Sequence, residues 1–304
     1  MITLAILGPG GVGAFLGAAL ARAGEDVLLI AREETAQAID RDGIEVESAR
    51  LGPFEAHPAA APTLDHPADA LVVATKAKDL HVALDRIEAE PHLVVPLLNG
   101  LDHLQTLRER FGPRAVAGSI RIEAYRTDPN HVRQTSHFLR VDLATANHRM
   151  RAALEAFATT LNEAQVPARV LESEAQAMWG KLVRLNALAL MTSAYDLPLG
   201  PIRSTPELRD ELEACVVEAA AVAGADGAEV KPRYVMDELD DAHETLGSSM
   251  QRDIAAGVEP ELDAIAGSVL RAAARHGLAC PTIERLAARV AERAPTGLPA
   301  APPR

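Results

Sequence analysis

The chain has 304 residues, of which 48% are hydrophobic and only 3% aromatic, and it carries a formal net charge of −13. That length accommodates two domains built on aliphatic cores, and the acidic balance argues against a general nucleic-acid binder, which presents a basic face. The two cysteines, Cys215 and Cys280, are too few for a disulfide framework or a cysteine metal cluster and point to a reducing, cytoplasmic setting.

Residues 2–7 (ITLAIL) form an apolar run with no Lys or Arg before it, broken at Gly8-Pro9. The run reads as a buried strand of a parallel sheet rather than a signal peptide. No stretch reaches the ~20 apolar residues that span a bilayer. A helix rich in Ala and Leu is expected over 12–23, stopping at Gly24, with a second strand over 26–31. A hairpin or edge pair is expected over 44–56. Apolar runs predict strands over 70–74 and 93–97, with a helix over 79–89 as the crossover between them. Further strands are expected near 115–123 and 138–143. From about residue 148 helical patterns dominate, over 149–164, 174–195, 205–224, 231–239, 260–275 and 281–292. With the boundary near 170, in VPARVLESE, the chain reads as α/β: a doubly wound Rossmann-type domain over 1–170, then an all-helical substrate and catalytic domain over 171–293. Residues 294–304 (APTGLPAAPPR) lack periodicity and read as a disordered tail.

Gly8, Gly10 and Gly13 form G-x-G-x-x-G in GPGGVG, with Gly11 and Val12 inside the motif. The first glycine makes the strand-to-helix turn, the second lets backbone approach a pyrophosphate, and the third lets helix and strand pack closely. The helix start presents N–H groups to the phosphate charge. The motif is weak alone, but here a strand precedes it and a helix and second strand follow. Arg32 follows Gly13 by 19 residues, where an arginine accommodates the 2′-phosphate of NADPH and an acid takes the ribose hydroxyl of NAD. Glu33 and Glu34 come next, so NAD stays open, as does a simply solvated Arg32.

Two further strands run out at VVATKAKD, carrying Lys76, and at VVPLLNGL, carrying Asn99. Ligands of open α/β sheets bind at these carboxyl ends. Taken singly, Lys76 reads as a solvated lysine and Asn99 as a turn residue before glycine. Lys181 lies in MWGKLVRLNALALMTSAYDLPLG (178–200), among apolar neighbours. Burial there would disfavour its ammonium form, whereas a snorkelling lysine would keep its head in water. A last segment, SSMQRDIAAGVEPELDAIAG (248–267), contains Ser249 and Glu261.

GPGGVG, LLIAR, TKAK, LLNG, MWGK and SSM…ELD, in this order and over nearly the whole chain, resemble the ketopantoate reductase (2-dehydropantoate 2-reductase) family. The resemblance implies NADPH-dependent reduction of a 2-oxo acid, ketopantoate to pantoate in pantothenate biosynthesis, in a cleft between the two domains. It implies that Lys181 is the catalytic lysine and that Glu261 holds the substrate hydroxyl and orients Lys181. It implies that Lys76 contacts cofactor or substrate, that Asn99 sits beside the nicotinamide and the substrate, and that Ser249 contacts the substrate. Cys280, in RHGLACPT, becomes a packing residue, and Asp253 and Asp263 structural ones.

The sequence also departs from the family pattern. Leu185 and Ala189 stand where the best-known members carry asparagines that meet the substrate. Asn186 lies about 140° around the helix from Lys181 and cannot replace them. Arg184 could reach a carboxylate. A related dehydrogenase acting on a β-hydroxy acid or an opine, and a non-catalytic NADPH-binding sensor, are the alternatives. The histidines show no ligand-like spacing, so no metal is expected. The expected partner is a small 2-oxo acid, without nucleic acid or membrane. A homodimer is compatible with the helical second half, although no heptad seam marks an interface.

Overall fold

The computed structural model describes residues 3–294. The predicted tail therefore lies outside the described residues, apart from Ala294. The chain divides into two compact units, Met1–Lys181 and Leu182–Arg304.

The first unit holds twelve strands among the described residues. They are β1 (Thr3–Leu7), β2 (Asp26–Ile30), β3 (Ile44–Ser48), β4 (Phe54–Ala56), β5 (Ala59–Ala61), β6 (Ala70–Val73), β7 (Leu93–Pro96), β8 (Ala117–Arg121), β9 (Ala124–Asp128), β10 (His131–Gln134), β11 (Arg140–Ala144) and β12 (Ala168–Leu171). Its helices are α1 (Gly11–Arg22), α2 (Glu33–Asp42), α3 (Leu80–Leu84), α4 (His103–Phe111) and α5 (Arg151–Glu163), followed by the start of α6 (Glu174–Tyr195). A fully parallel sheet runs β5-β2-β1-β6-β7. The chain leaves β1 for β2 on one side and later returns to β6 on the other, so the topological switch point lies between β1 and β6.

Alternation along the strands fills both faces of this sheet, as a doubly wound fold requires. Leu4, Ile6, Val27, Leu29, Val72 and Val95 point to one core with Phe15, Leu16 and Leu20 of α1. Ala5, Leu7, Ile30, Leu71, Val73 and Val94 point to the other, with Leu80 and Leu84 of α3 and Leu107 and Phe111 of α4. Helix α1 is buried continuously from Gly13 to Leu20. It is covered twice: by the parallel sheet beneath, and by a second sheet, β4-β3-β10-β9, whose Ile44, Val46 and Val132 join the same core. A helix apolar all round needs such cover on every side. A third sheet, β12-β11-β8, completes the unit.

Two expected elements differ in extent. The predicted helix over 79–89 is a 3₁₀ turn at Ala77–Asp79 followed by α3, which stops at Leu84. Ile87 is drawn out of it to bridge Leu64 in parallel, and this edge pairing ends the helix. Residues 168–171, where the domain boundary is expected, form a strand that was not predicted, β12, paired in parallel with β11 across the α5 crossover.

The second unit contains only helices among the described residues: the remainder of α6, α7 (Leu199–Ser204), α8 (Pro206–Ala225), α9 (Pro232–Asp240), α10 (Ser249–Ala255), α11 (Ser268–Arg275) and α12 (Pro281–Arg293). Helix α8 is its centre, packing on α7, α9, α11 and α12 through Leu212, Cys215, Val216, Ala219 and Ala223. The predicted helix over 260–275 opens with a π-helical turn at Asp263–Gly267. No described helix is long and apolar enough to cross a membrane.

Candidate active site

The glycine motif lies at the switch point. Gly8 ends β1 with φ +89°, a conformation that glycine alone adopts without strain. A Cβ there would also lie 2.7 Å from Thr75 Cγ2, on the chain just past β6. A Cβ on Gly13 would collide with the Gly8 carbonyl oxygen, so this turn closes only with glycine at both positions. Gly10, the N-cap of α1, is exposed, and a Cβ on it would meet nothing within 4 Å. Helix α1 starts with no side-chain cap and no acidic residue in its first turn, which leaves the first N–H groups, of Gly11, Val12 and Gly13, without an intrahelical acceptor. Beside this turn the Thr75 hydroxyl oxygen is buried without a hydrogen-bond partner. An uncapped helix start, open space over Gly10 and an orphaned hydroxyl together fit a dinucleotide pyrophosphate.

Arg32 is the N-cap of α2, directly after β2, and is exposed. Glu33, its neighbour, accepts a hydrogen bond from Gln37 at 2.8 Å. Lys76 is the half-buried N-cap of the 3₁₀ turn that follows β6.

Lys181 and Asn99 meet in the first unit. Asn99 follows β7 and the buried Leu97-Leu98, and Gly100 turns the chain with φ +86°. The beginning of α6 is pinned at three points. Glu174 accepts from Arg108 at 2.6 Å and from the Ala146 N–H at 2.9 Å. The Ala177 carbonyl accepts from the Ser119 hydroxyl at 2.7 Å. One turn further on, the half-buried Lys181 donates from Nζ to Asn99 Oδ1 at 2.7 Å. Trp179, the only tryptophan of the chain, is buried just before it.

His103, the first residue of α4, completes this corner, and sequence reasoning missed it. It is 5% exposed. Burial pushes its pKa from 6.5 down to about 4; the nearby Lys181 charge adds to the fall, while Asp102 and the Asn99 backbone oppose it. A neutral imidazole thus stands beside the lysine. The available signal was the four-residue spacing of His103, Leu107 and Phe111, the buried face of α4.

The other expected site residues lie in the second unit. Arg184 is half-buried, 3.7 Å from Glu238. Ser249 is exposed, whereas its neighbour Ser248 is buried as the N-cap of α10. Ser248 accepts from Gln251 N–H at 3.1 Å and from the Thr192 hydroxyl at 2.8 Å. Glu261 is half-buried just before the π-helical turn, and Asp263 pairs with Arg271 at 2.7 Å. Leu185 is half-buried and Ala189 fully buried. Asn186 is fully buried and donates to Cys215 Sγ at 3.6 Å, which commits it to packing against α8. Cys280 is 2% exposed with its thiol pKa pushed up to about 11 by burial, an inert packing residue.

Two family models match consecutive parts of the chain: "Ketopantoate reductase PanE/ApbA" over residues 4–147 and its C-terminal counterpart over residues 175–294. The 2-dehydropantoate 2-reductase of Mycobacterium tuberculosis is 31% identical over 290 residues, covering 91% of this chain and 93% of its own. Among solved structures, the 2-dehydropantoate 2-reductase of Geobacter metallireducens superposes with a TM-score of 0.88 at 27% identity, covering 96% of this chain and 99% of its own. D-mandelate dehydrogenase, solved with NADH and anilino(oxo)acetate, shares the fold with a TM-score of 0.85 at 23% identity, covering 96% and 98%. The chain belongs to the ketopantoate reductase family and is an oxidoreductase of that family.

Proposed function

We propose that the protein reduces a 2-oxo acid with NADPH, and that the substrate is 2-dehydropantoate, giving pantoate for pantothenate biosynthesis. The carrying observation is the hydrogen bond from Lys181 Nζ to Asn99 Oδ1, 2.7 Å long, in the unit that bears the glycine turn. A reduced nicotinamide supplies hydride to the carbonyl carbon. As that carbon is reduced, its oxygen gains negative charge, and the Lys181 ammonium gives it a proton and is later re-protonated from solvent. Asn99 directs one N–H of the ammonium and so fixes where Nζ stands. His103, held neutral, adds no second positive charge to compete with the ammonium.

The glycine turn, with Gly8, Gly10, Gly11, Val12 and Gly13, holds the pyrophosphate, and Lys76 follows the strand next to it. Arg32 supports NADPH over NADH. On the family resemblance we assign Glu261 to the substrate hydroxyl and Ser249 and Arg184 to its polar end. The apolar Leu185 and Ala189 favour a second substrate reading, a 2-oxo acid with a less polar side chain, because a site lacking hydrogen-bond partners for a hydroxyl gains little from that group. Following NADPH oxidation with 2-dehydropantoate and a panel of other 2-oxo acids tests both. Turnover of 2-dehydropantoate far above the panel supports the first reading, and preference for an apolar 2-oxo acid replaces it with the second.

A further inference from the structure

Strand β9 supplies a residue that the cofactor reading does not use. It belongs to the second sheet, yet it lies directly on the glycine turn: a Cβ on Gly11 would collide with the Ala124 carbonyl and lie 2.6 Å from Tyr125 Cα. Successive strand residues alternate faces. Arg126 therefore shares a face with Ala124, which packs against the core around α1, and Arg126 is half-buried while its neighbours Tyr125 and Thr127 are exposed. The turn that follows β9 is anchored to the far end of α2, because Asn130 Nδ2 donates to the carbonyls of Ala38 at 3.0 Å and Gly43 at 2.6 Å. At the near end of α2 stands Arg32. The two guanidiniums sense each other: burial lowers the Arg126 pKa, the Arg32 charge lowers it further, and only Asp128 opposes. Among the described residues neither guanidinium makes a hydrogen bond or an ion pair. Two like charges gathered beside a dinucleotide turn, each without an anionic partner in contact, are the complement of a doubly charged anion.

The geometry points to Arg126 as a second determinant of cofactor choice, closing with Arg32 on the 2′-phosphate of NADPH from the side of β9. This inference rests on the NADPH reading above. It makes the preference a property of two sheets, the parallel one that ends at Arg32 and the overlying one that carries Arg126.

The test uses nucleotides that contain the adenosine end alone, so it needs no turnover. Calorimetric titration of the full chain with 2′,5′-ADP and with 5′-ADP gives an affinity ratio that isolates the 2′-phosphate. The wild type is expected to prefer 2′,5′-ADP. In Arg126→Gln that ratio falls by roughly tenfold to a hundredfold, the effect of one charged hydrogen-bond partner. Arg126→Lys retains part of it, and Arg32→Gln falls comparably. Thermal melting checks that each variant is folded, and a purely structural role for Arg126 weakens both nucleotides alike. A ratio unchanged in Arg126→Gln but lost in Arg32→Gln overturns the inference and leaves the NADPH reading standing. A wild type without preference for 2′,5′-ADP overturns both.

Discussion

Replacing His103 with leucine should make the first unit markedly less sensitive to acid. An imidazole in the unfolded chain takes up a proton near pH 6.5, whereas in the folded chain it does so only near about 4. The folded state therefore refuses a proton that the unfolded state accepts. Stability from this group is complete above about pH 6.5 and is lost as pH falls towards about 4. At about 1.4 kcal/mol per pH decade, the loss over that window is about 3 kcal/mol. Leucine carries no proton, so the variant escapes the loss. Urea unfolding followed by the fluorescence of the buried Trp179, repeated at several pH values, measures it. The stability difference between variant and wild type should grow by about 3 kcal/mol in favour of the variant between about pH 7 and pH 4. Parallel pH dependences in the two proteins refute the reasoning. Nuclear magnetic resonance supplies a cross-check: in Lys181→Ala the His103 pKa should rise, because a charge that depresses it has gone.

Two glycine substitutions should separate folding from cofactor binding. Gly10→Ala places its Cβ in open space and should leave stability within about 0.5 kcal/mol while weakening NADPH by about tenfold or more, since backbone must come close to the pyrophosphate there. Gly13→Ala drives its Cβ into the Gly8 carbonyl and should destabilise by about 1–3 kcal/mol; urea midpoints and quenching of Trp179 by NADPH read both. Unweakened NADPH binding by Gly10→Ala would contradict the placement of the pyrophosphate. In the second unit, Ser248→Ala removes the α10 cap and a buried partner of Thr192 and should cost about 1–2 kcal/mol in the same unfolding experiment; an unchanged midpoint would show that the cap contributes nothing.

What the sequence revealed follows from how local each constraint is. GPGGVG was legible because its glycines answer to the turn itself, and the strand and helix on either side are contiguous. Four of the five parallel strands, β1, β2, β6 and β7, were legible as short apolar runs, whereas β5, three alanines at the sheet edge with no buried residue, was not. The second sheet was only partly legible: the β3–β4 pair came through as a hairpin, but β9 and β10 are short and polar, and β3 and β10 meet only through a parallel pairing between distant segments. A further trace of that sheet was α1, apolar on every side and hence in need of cover above as well as below. Arg126 went unremarked for the same reason. Lys181 and Asn99 stand 82 residues apart, and nothing in periodicity joins them; the family resemblance brought them into one list, and folding brings them into one hydrogen bond. His103 had no such help, because a lone histidine in an amphipathic helix looks like any other polar residue until its burial is known.

The central claim is that Lys181 gives the proton in a reduction driven by NADPH. It is tested most directly by following NADPH oxidation with 2-dehydropantoate and the 2-oxo acid panel in wild type and Lys181→Ala, with NADPH affinity measured alongside. Loss of general-acid catalysis should lower kcat by roughly a hundredfold to ten-thousandfold on whichever 2-oxo acid the wild type turns over best, while the variant still binds NADPH. Undiminished turnover in Lys181→Ala would contradict the account.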